Sequence, residues 1–315
     1  MPAVLFHHNG RVSGEHAGMR PVGQPDRSRD ERLDNQRPVG AQRLGGLREE
    51  RGLLRAASGH SRADLFTAAA EVAYLAGWMA ADDLQPGLAQ RHYIQSVRLA
   101  TEAGDPLMRA TALRSLAAQA VELGHCAPGL ALADAAAATL HDSAPVRARA
   151  WVTGMEAEAL AGTGHDPRRA VRLLTVTEMD LDRADSGTVE DWSGNYPRAA
   201  YEDQVGLTLR AMGDLPGAEE HFAASVQARR PNERRTRALI GTRLAAVQLR
   251  RRMPDAAAST ILGLSDDLLV VKSARLRRSL GQISRQWQAD RSDPRVAKAD
   301  RLLLSAQAGP AGLPV

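Results

Sequence analysis

A proline that recurs at the start of alanine-rich helical segments is the feature that most constrains the fold of this chain. The five segments begin at Pro86, Pro128, Pro167, Pro216 and Pro254. Proline is tolerated in the first turn of a helix, because its missing N–H would have no partner there. Gly124, Gly164 and Gly213 stand just before three of these prolines. Since glycine often ends a helix in the left-handed conformation, the pattern predicts helical hairpins joined by tight turns.

The second helix of each predicted hairpin carries a repeated contact pattern, in which a bulky residue lies between two small or medium ones at i, i+4 and i+7. The triplets are Ala89, Tyr93 and Ser96; Ala170, Leu174 and Thr177; Ala218, Phe222 and Ser225; and Ala257, Ile261 and Leu264, with Ala131, Ala135 and Ala138 as a weaker copy. These positions share one helix face, so small residues let a neighbouring helix approach a bulky one. Twelve residues before the first member, Gly77, Gly206 and Ala245 offer a small contact on the preceding helix. This recurrence resembles the tetratricopeptide repeat.

The repeat spacing sets the predicted architecture. The first members of the triplets are 42, 39, 48 and 39 residues apart, which is longer than the roughly 34 residues of the standard repeat. First helices are predicted at 65–82, 106–123, 145–161, 197–212 and 232–251, and capping helices at 272–288 and 293–305. Aromatic residues form only 3% of the chain, and β-branched runs are rare, which disfavours strands. We therefore predict an all-α, right-handed α-solenoid of about five tetratricopeptide-like helix pairs plus C-terminal capping helices.

The domain boundaries follow from composition. Residues 1–60 are rich in Arg, Gly and Pro and show no helical or strand period, so we predict a disordered or poorly structured extension, with a short helix around 41–57. This extension is either a basic tail that touches acidic partners or a solvated segment. Residues 61–305 form the predicted repeat domain, and residues 306–315 a frayed tail.

Charge is unevenly distributed along the repeats. Residues 61–228 carry a net charge of −10, whereas residues 229–301 carry +11. Arg234, Arg235, Arg237 and Arg243 are candidate partner-binding residues in the basic part, because arginine forks suit phosphate or carboxylate groups. The alternative is that these arginines pair with acidic residues on neighbouring repeats.

Two scarce aromatic residues mark the longest step between repeats. Trp192 lies in the turn-rich segment 186–195, Tyr196 directly follows this segment, and Gly194 stands between the two residues. Aromatic side chains on the inner rim of a solenoid can anchor a bound segment. Alternatively, both residues fill the gap that an irregular repeat leaves.

Catalytic, metal and cofactor sites are not indicated by any motif. Cys126 is the single cysteine, which excludes an intramolecular disulfide and fits a reducing cytoplasm. The sequence contains no phosphate-binding loop, nucleophile elbow or zinc-binding helix motif, and no signal-peptide core or membrane-spanning stretch. His125, His165 and Asp166 lie at predicted helix turns, where capping explains them. We expect a cytoplasmic protein that is not an enzyme, needs no cofactor and does not enter a membrane.

Three stretches are similar to the C-terminal repeat region of actinobacterial helix-turn-helix (XRE-type) transcriptional regulators. They are residues 73–80 with 87–100, the Trp192 region leading into Ala211-Met-Gly-Asp, and residues 234–275. The resemblance implies a repeat region that senses a ligand or mediates dimerisation, usually behind a DNA-binding domain. Residues 1–60 do not match such a helix-turn-helix domain. We therefore predict a non-catalytic regulatory module that binds a protein or peptide segment in its concave groove, with homodimerisation as a further expectation. The alternative is a DNA-associated regulator that contacts DNA through the basic region.

Overall fold

A computed structural model describes residues 60–140, 144–185 and 196–308 of the chain. Phe66–Val315 belongs to one compact unit, and Ala3–Leu65 to another, of which only the start of the first helix is described. Thirteen α-helices and one 3-10 turn, and no strand, occur in these described ranges. The helices are α1 His60–Asp82, α2 Pro86–Ala103, α3 Pro106–Glu122, α4 Cys126–Thr139, α5 Val146–Thr163, α6 Pro167–Asp185, α7 Arg198–Met212, α8 Leu215–Ala228, α9 Arg234–Arg250, α10 Pro254–Gly263, α11 Ser265–Val270, α12 Ala274–Gln286 and α13 Pro294–Ala308.

The helices form an α-solenoid of five antiparallel pairs, α1/α2 to α9/α10, which confirms the predicted fold class. First helices also pack on first helices, as α3 on α5 and α5 on α7, and α9 packs on α12. Stacking of this kind aligns the first helices along one surface. Helix α11 and the 3-10 turn Gln288–Asp290 were not predicted, because short elements leave little periodicity in the sequence.

Several predictions fall outside the described residues. These concern the disordered extension 1–59 with its short helix, Trp192, and the last residues of the tail. They stay predictions.

The turns inside the hairpins use the glycines that the sequence indicated. Gly124, Gly164 and Gly213 have φ of 85°, 72° and 86°, which confirms the left-handed helix ends. Asp166 and Asp214 then cap the following helices, because their carboxylates accept hydrogen bonds from the backbone N–H groups three residues later, at 2.9 and 3.0 Å. Each of these turns therefore contains a left-handed glycine, and two of them add a capping side chain, from Asp166, which itself has a φ of 44°, and from Asp214.

Two hairpins repeat the same pair of contacts at the same sequence separation. A Cβ added at Gly77 would lie 2.7 Å from the Tyr93 ring, and one at Gly206 would lie 2.7 Å from the Phe222 ring. The hydroxyl of Ser96 donates to the Ala70 carbonyl at 2.8 Å, and the hydroxyl of Ser225 donates to the Ala199 carbonyl at 2.5 Å. The third triplet residue is thus a small buried side chain, and its hydroxyl also forms a hydrogen bond to the other helix of the pair.

The fifth pair contains a close contact that the triplet pattern did not specify. The sequence made Ile261 the counterpart of Tyr93, with Ala245 as its small contact. Both residues are fully buried in one core cluster. A second small residue of α9, Gly241, faces Leu264, because a Cβ added at Gly241 would lie 1.9 Å from a methyl carbon of Leu264. Leu264 directly follows the end of α10 and lies in the same core cluster as Ala245 and Ile261, together with residues of the C-terminal helices.

The weaker copy of the triplet on α4 was placed two residues too late. Ala131 and Ala135 are exposed, whereas Gly129, Ala133 and Ala136 are the buried residues of this helix. These three have the same i, i+4 and i+7 spacing. The run of alanines hid the correct register, because every position in it is small and apolar.

Replacing Gly77 by alanine is expected to lower the free energy of unfolding by about 1–3 kcal/mol, because the new methyl group must displace the buried Tyr93 ring. Urea denaturation followed by circular dichroism measures this loss. Gly87→Ala is the matched control, since a Cβ there meets nothing within 4 Å. Equal stability of the two variants would contradict the close packing of Gly77 on Tyr93.

The C-terminal helices close the array around a buried tryptophan. Trp287 is fully buried, and it lies in a core with Leu280, Ile283 and residues of α10, α11 and α13. Its indole N–H donates to the Asp300 carboxylate at 3.0 Å, and the Ser284 hydroxyl donates to the same oxygen at 2.6 Å. The Arg291 guanidinium lies 2.8 Å from the other Asp300 oxygen. A complete polar network therefore supports the apolar cap.

Among the described helices, none is both long enough and apolar enough to cross a membrane.

Candidate functional site

The concave surface encloses a cavity of about 700 Å³. Its walls come mainly from the first helices α1, α3, α5, α7 and α9, and α12 supplies one further side. Aromatic side chains line it together with many charged ones, among them Trp78, Tyr93, Trp151 and Tyr196. We call this cavity the groove. It is the place where the solenoid exposes polar side chains from five repeats to a common space.

A network of side chains around Gln204 crosses the middle of the groove. The Arg114 guanidinium stacks on the Trp151 ring at 4.2 Å and donates to the Trp151 carbonyl at 3.2 Å and to the Gln204 amide oxygen at 3.1 Å. The Gln204 amide N–H in turn donates to Glu158. These contacts join α3, α5 and α7, so the groove wall is held by interactions between successive repeats.

Burial perturbs the ionisable groups of this network. Burial raises the pKa of Glu158, although the nearby Arg243 and Arg114 oppose the shift. Burial likewise lowers the pKa of Arg114, and burial together with the charge of Arg243 lowers the pKa of Arg210. Perturbed groups that converge on one concave surface are typical of functional sites.

The end of the groove is closed by contacts between the first repeats and the last ones. Arg235 pairs with Asp82 and stacks over the Trp78 ring at 4.7 Å, and the Ser273 hydroxyl donates to Asp82 at 2.9 Å. Arg275 pairs with Glu122 at 2.5 Å. We call this group the clasp; it consists of Trp78, Asp82, Glu122, Arg235, Ser273 and Arg275. It joins α1 and α3 directly to α9 and α12.

Five buried polar side-chain atoms of the described residues have no hydrogen-bond partner, and all five residues line the groove. They are Gln119 Oε1, Tyr196 Oη, Asp203 Oδ1, Arg229 Nε and Arg235 Nε. Buried polar groups in folded proteins are nearly always hydrogen-bonded, because an unsatisfied group costs free energy. Their concentration at one surface therefore indicates groups that a ligand or bound water would satisfy.

The four arginines predicted as partner-binding residues have different positions. Arg235 and Arg243 line the groove, where they pair with Asp82 and Asp203. Arg237 pairs with Asp267 at 2.8 Å, and Arg234 is exposed on α9. Much of the basic charge is thus paired with carboxylates on other helices, as the second interpretation of the sequence expected.

Tyr196 combines features of both sequence interpretations. It is 2% exposed and packs in a core cluster with Trp151, Leu174 and Tyr201, as expected for a side chain that fills an irregular repeat. Its hydroxyl nevertheless lines the groove and has no partner. Trp192 lies outside the described residues.

The residues predicted to pack the repeats lie between the helices of the solenoid, and Tyr93 alone among them also lines the groove. The others that the sequence named are Gly77, Ala89, Ala170, Leu174, Gly206, Ala218, Phe222, Ala257 and Ile261. These positions therefore shape the array that carries the site, and they do not form the site.

Most of the groove residues, including Arg114, Gln119 and Glu158, were not predicted from the sequence. A signal for some of them was present, because Asp203 and Arg210 are seven residues apart on α7 and so share a helix face. Polar residues at such spacing in otherwise apolar first helices could have indicated the concave surface. Within residues 60–140, 144–185 and 196–308, no group of three or more His, Cys, Asp or Glu is placed to hold a metal ion.

Comparison with known proteins gives structural neighbours only. No family model matches the sequence, and no curated protein matches it. The structure of a Rap protein complexed with competence and sporulation factor is similar, with a TM-score of 0.51 at 13% identity over 89% of this chain and 90% of that one. A protein of Podosopora anserina with nearly identical TPR-like repeats, described as a kinesin light chain, has a TM-score of 0.42 at 19% identity over 64% of this chain and 96% of its own. The geometry of the helix pairs and the similarity to the Rap protein together show that this chain has the fold of a TPR-like α-solenoid.

Proposed function

We propose that this chain is a non-catalytic regulatory module that captures a short peptide, or an extended segment of a protein, in its groove. The observation that carries the proposal is the set of five unsatisfied polar atoms around the cavity. A volume of about 700 Å³ falls within the roughly 300–1,000 Å³ range of ligand sites. This volume suits a few residues of an extended chain and is too small for a folded domain.

The chemistry of the unsatisfied atoms favours a peptide. Arg229 and Arg235 offer N–H donors, Gln119 and Asp203 offer oxygen acceptors, and the Tyr196 hydroxyl can do both. A peptide backbone presents both N–H donors and C=O acceptors along its length. The tryptophans of the groove add aromatic surface for apolar side chains of the ligand.

The regulatory part of the proposal rests on resemblance. The structure of the Rap protein is that of a complex with competence and sporulation factor. By analogy, we propose that this chain also binds a ligand with its similar fold. Ligand binding by the repeat region 61–305 would then regulate a transcriptional process in the cytoplasm. Direct DNA contact through the basic region is less well supported, because Arg235, Arg237 and Arg243 are engaged by carboxylates.

The proposal is tested by capture of peptides from a random hexapeptide library, with the bound fraction identified by mass spectrometry. We expect the full chain to retain a defined subset of sequences. Ser279→Trp should reduce this capture at least tenfold, because Ser279 lines the groove and an indole there would occupy it. A tenfold loss corresponds to about 1.4 kcal/mol of binding free energy.

Ser259→Trp is the matched control. Both serine hydroxyls donate to the carbonyl four residues earlier in their helix, but Ser259 is exposed on α10 and does not line the groove. This variant should capture the same peptides as the unmodified chain. If the chain retains no peptide, or if Ser279→Trp retains as much as Ser259→Trp, the proposed function is wrong.

A further inference from the structure

The ionisable side chains that line the groove are not balanced in charge. Seven are arginines: Arg114, Arg210, Arg229, Arg235, Arg243, Arg275 and Arg278. Four are acids: Asp82, Glu122, Glu158 and Asp203. A cavity with an excess of one sign attracts ligands of the other sign, the more so because its walls exclude water.

The pairing of these residues locates the excess. Three arginines pair with groove carboxylates, in the pairs Arg235–Asp82, Arg243–Asp203 and Arg275–Glu122. Arg229 pairs at 2.9 Å with Glu233, which lies in the loop before α9. The carboxylate of Glu158 accepts a hydrogen bond from Gln204. Every acid of the groove is therefore engaged through at least one oxygen, although Asp203 Oδ1 has no partner.

Three groove arginines, Arg114, Arg210 and Arg278, form no ion pair with a carboxylate of the described residues. Arg210 on α7 and Arg278 on α12 form no ion pair or hydrogen bond within the part of the chain that the structure describes, although both line the groove. The hydrogen bonds of Arg114 go to the uncharged Trp151 carbonyl and Gln204 amide. Burial lowers the pKa of Arg210 and Arg114 even though Glu158 opposes the shift, and an anion that enters the site would offset this cost of burial.

We propose that the ligand of the groove is an acidic peptide whose carboxylates pair with Arg210 and Arg278. This inference rests on the proposed function and adds the charge of the ligand. Arginine is suited to this role because its planar guanidinium forms two parallel hydrogen bonds with one carboxylate. Burial, together with the charge of Arg243, lowers the pKa of Arg210 more than the nearby Glu158 and Asp203 raise it, so a further anion would stabilise its charged form. The unsatisfied groups of Tyr196 and Arg229, both more than nine-tenths buried, then meet the ligand backbone.

The carboxylates could belong to Asp and Glu side chains or to a free peptide C-terminus. We therefore use two random hexapeptide libraries, one with free and one with amidated C-termini. Enrichment of Asp and Glu in the amidated library would show that the bound carboxylates belong to side chains. Enrichment of peptides only in the library with free C-termini would show that the bound carboxylate is the C-terminal one. Both outcomes support an anionic ligand.

Arg210→Gln and Arg278→Gln should each weaken binding of the enriched acidic peptides about tenfold, as expected when one charge-assisted hydrogen-bonded contact is lost. Arg277→Gln is the matched control, because Arg277 is the neighbour of Arg278 on α12, is also exposed and does not line the groove. Arg210→Lys keeps the charge but removes the fork, and it should recover part of the affinity. Thermal melts of all four variants check that the fold is intact.

Two results would overturn the inference in distinguishable ways. Enrichment of neutral or basic peptides, with unchanged binding in Arg210→Gln and Arg278→Gln, rejects an acidic ligand and leaves the proposed function standing. Failure of the full chain to retain any peptide from either library rejects the proposed function and the inference together.

Discussion

Phe222→Ala is expected to lower the free energy of unfolding by about 3–5 kcal/mol, which is the usual cost of removing a fully buried phenylalanine ring. Phe222 fills the space that Gly206 leaves on α7, and it packs with Ala218, Ile240 and Leu244 in one cluster. The ring therefore joins α7, α8 and α9, and its loss leaves a cavity between two consecutive repeats. Urea denaturation followed by circular dichroism should show a clearly lower midpoint.

The same experiment also tests how the repeats are coupled. Stability in repeat proteins is roughly a sum of repeat and interface contributions, so weakening one interface can split a single unfolding transition into two. Phe222→Leu should cost less than about 2 kcal/mol because it keeps most of the apolar volume. Val171→Ala, at a side chain that is 48% exposed, should change stability by less than about 0.5 kcal/mol. A loss in Phe222→Ala as small as that in Val171→Ala would mean that the ring does not join the repeats.

Asp300→Ala should have the second largest effect, a loss of about 2–4 kcal/mol. The substitution leaves the indole N–H of the fully buried Trp287 and the hydroxyl of Ser284 without their acceptor. The ion pair with Arg291 adds little, because that side chain is 42% exposed and its charge is screened by solvent. Asp300→Asn keeps one acceptor oxygen and should lose less. Asp266→Ala, an exposed aspartate on α11, is the control and should be close to neutral.

The contribution of Asp300 to the free energy of unfolding should also depend on pH. Burial alone would raise its pKa, but hydrogen bonds from Ser284 and Trp287 and the charge of Arg291 outweigh burial and hold the pKa below the ordinary 3.8. For a carboxylate with a lowered folded-state pKa, the stabilisation is fully present above the ordinary value and is lost as pH falls through the folded-state pKa. Acid unfolding of Asp300→Asn should therefore be less steep below about pH 4 than that of the unmodified chain. Identical acid-unfolding curves would contradict the role assigned to Asp300.

The helix pairs could be predicted because their signals are local. Proline at a helix start, glycine at a left-handed helix end and the spacing of Ala218, Phe222 and Ser225 all act within one hairpin. The predicted first helices consequently agree with the structure to within a few residues, apart from the start of α1. The sequence also showed the positive charge excess of residues 229–301. It did not show which carboxylates pair with the arginines of this segment.

The contact triplets were less reliable where a helix is short or uniform. In the fifth pair Ala257, Ile261 and Leu264 are all buried, but the spacing did not show that Leu264 contacts Gly241 on α9. On α4 the unbroken alanines left the register open. In both cases the buried face depends on the helices packed against it as well as on the spacing within one helix.

The groove could not be predicted because it depends on the curvature of the whole array. Asp82 and Arg235, or Glu122 and Arg275, are 153 residues apart in sequence. Their meeting is set by small rotations summed over every repeat between them, and no residue pattern within a hairpin encodes that sum. Gln204 was overlooked for a related reason, since its importance comes from neighbours on α3 and α5.

The clasp also changes how the array should come apart. A linear stack of repeats usually frays from its ends, because a terminal repeat has one neighbour and can detach alone. Here α9 and α12 are tied to α1 and α3 through Asp82 and Glu122, so detachment of the C-terminal helices also breaks contacts with the first two pairs. Forming this ring requires closure of a loop whose ends are 153 residues apart, which makes the clasp a late event in folding. Once it has formed, amide hydrogens at both ends of the repeat array should exchange together, through one shared opening.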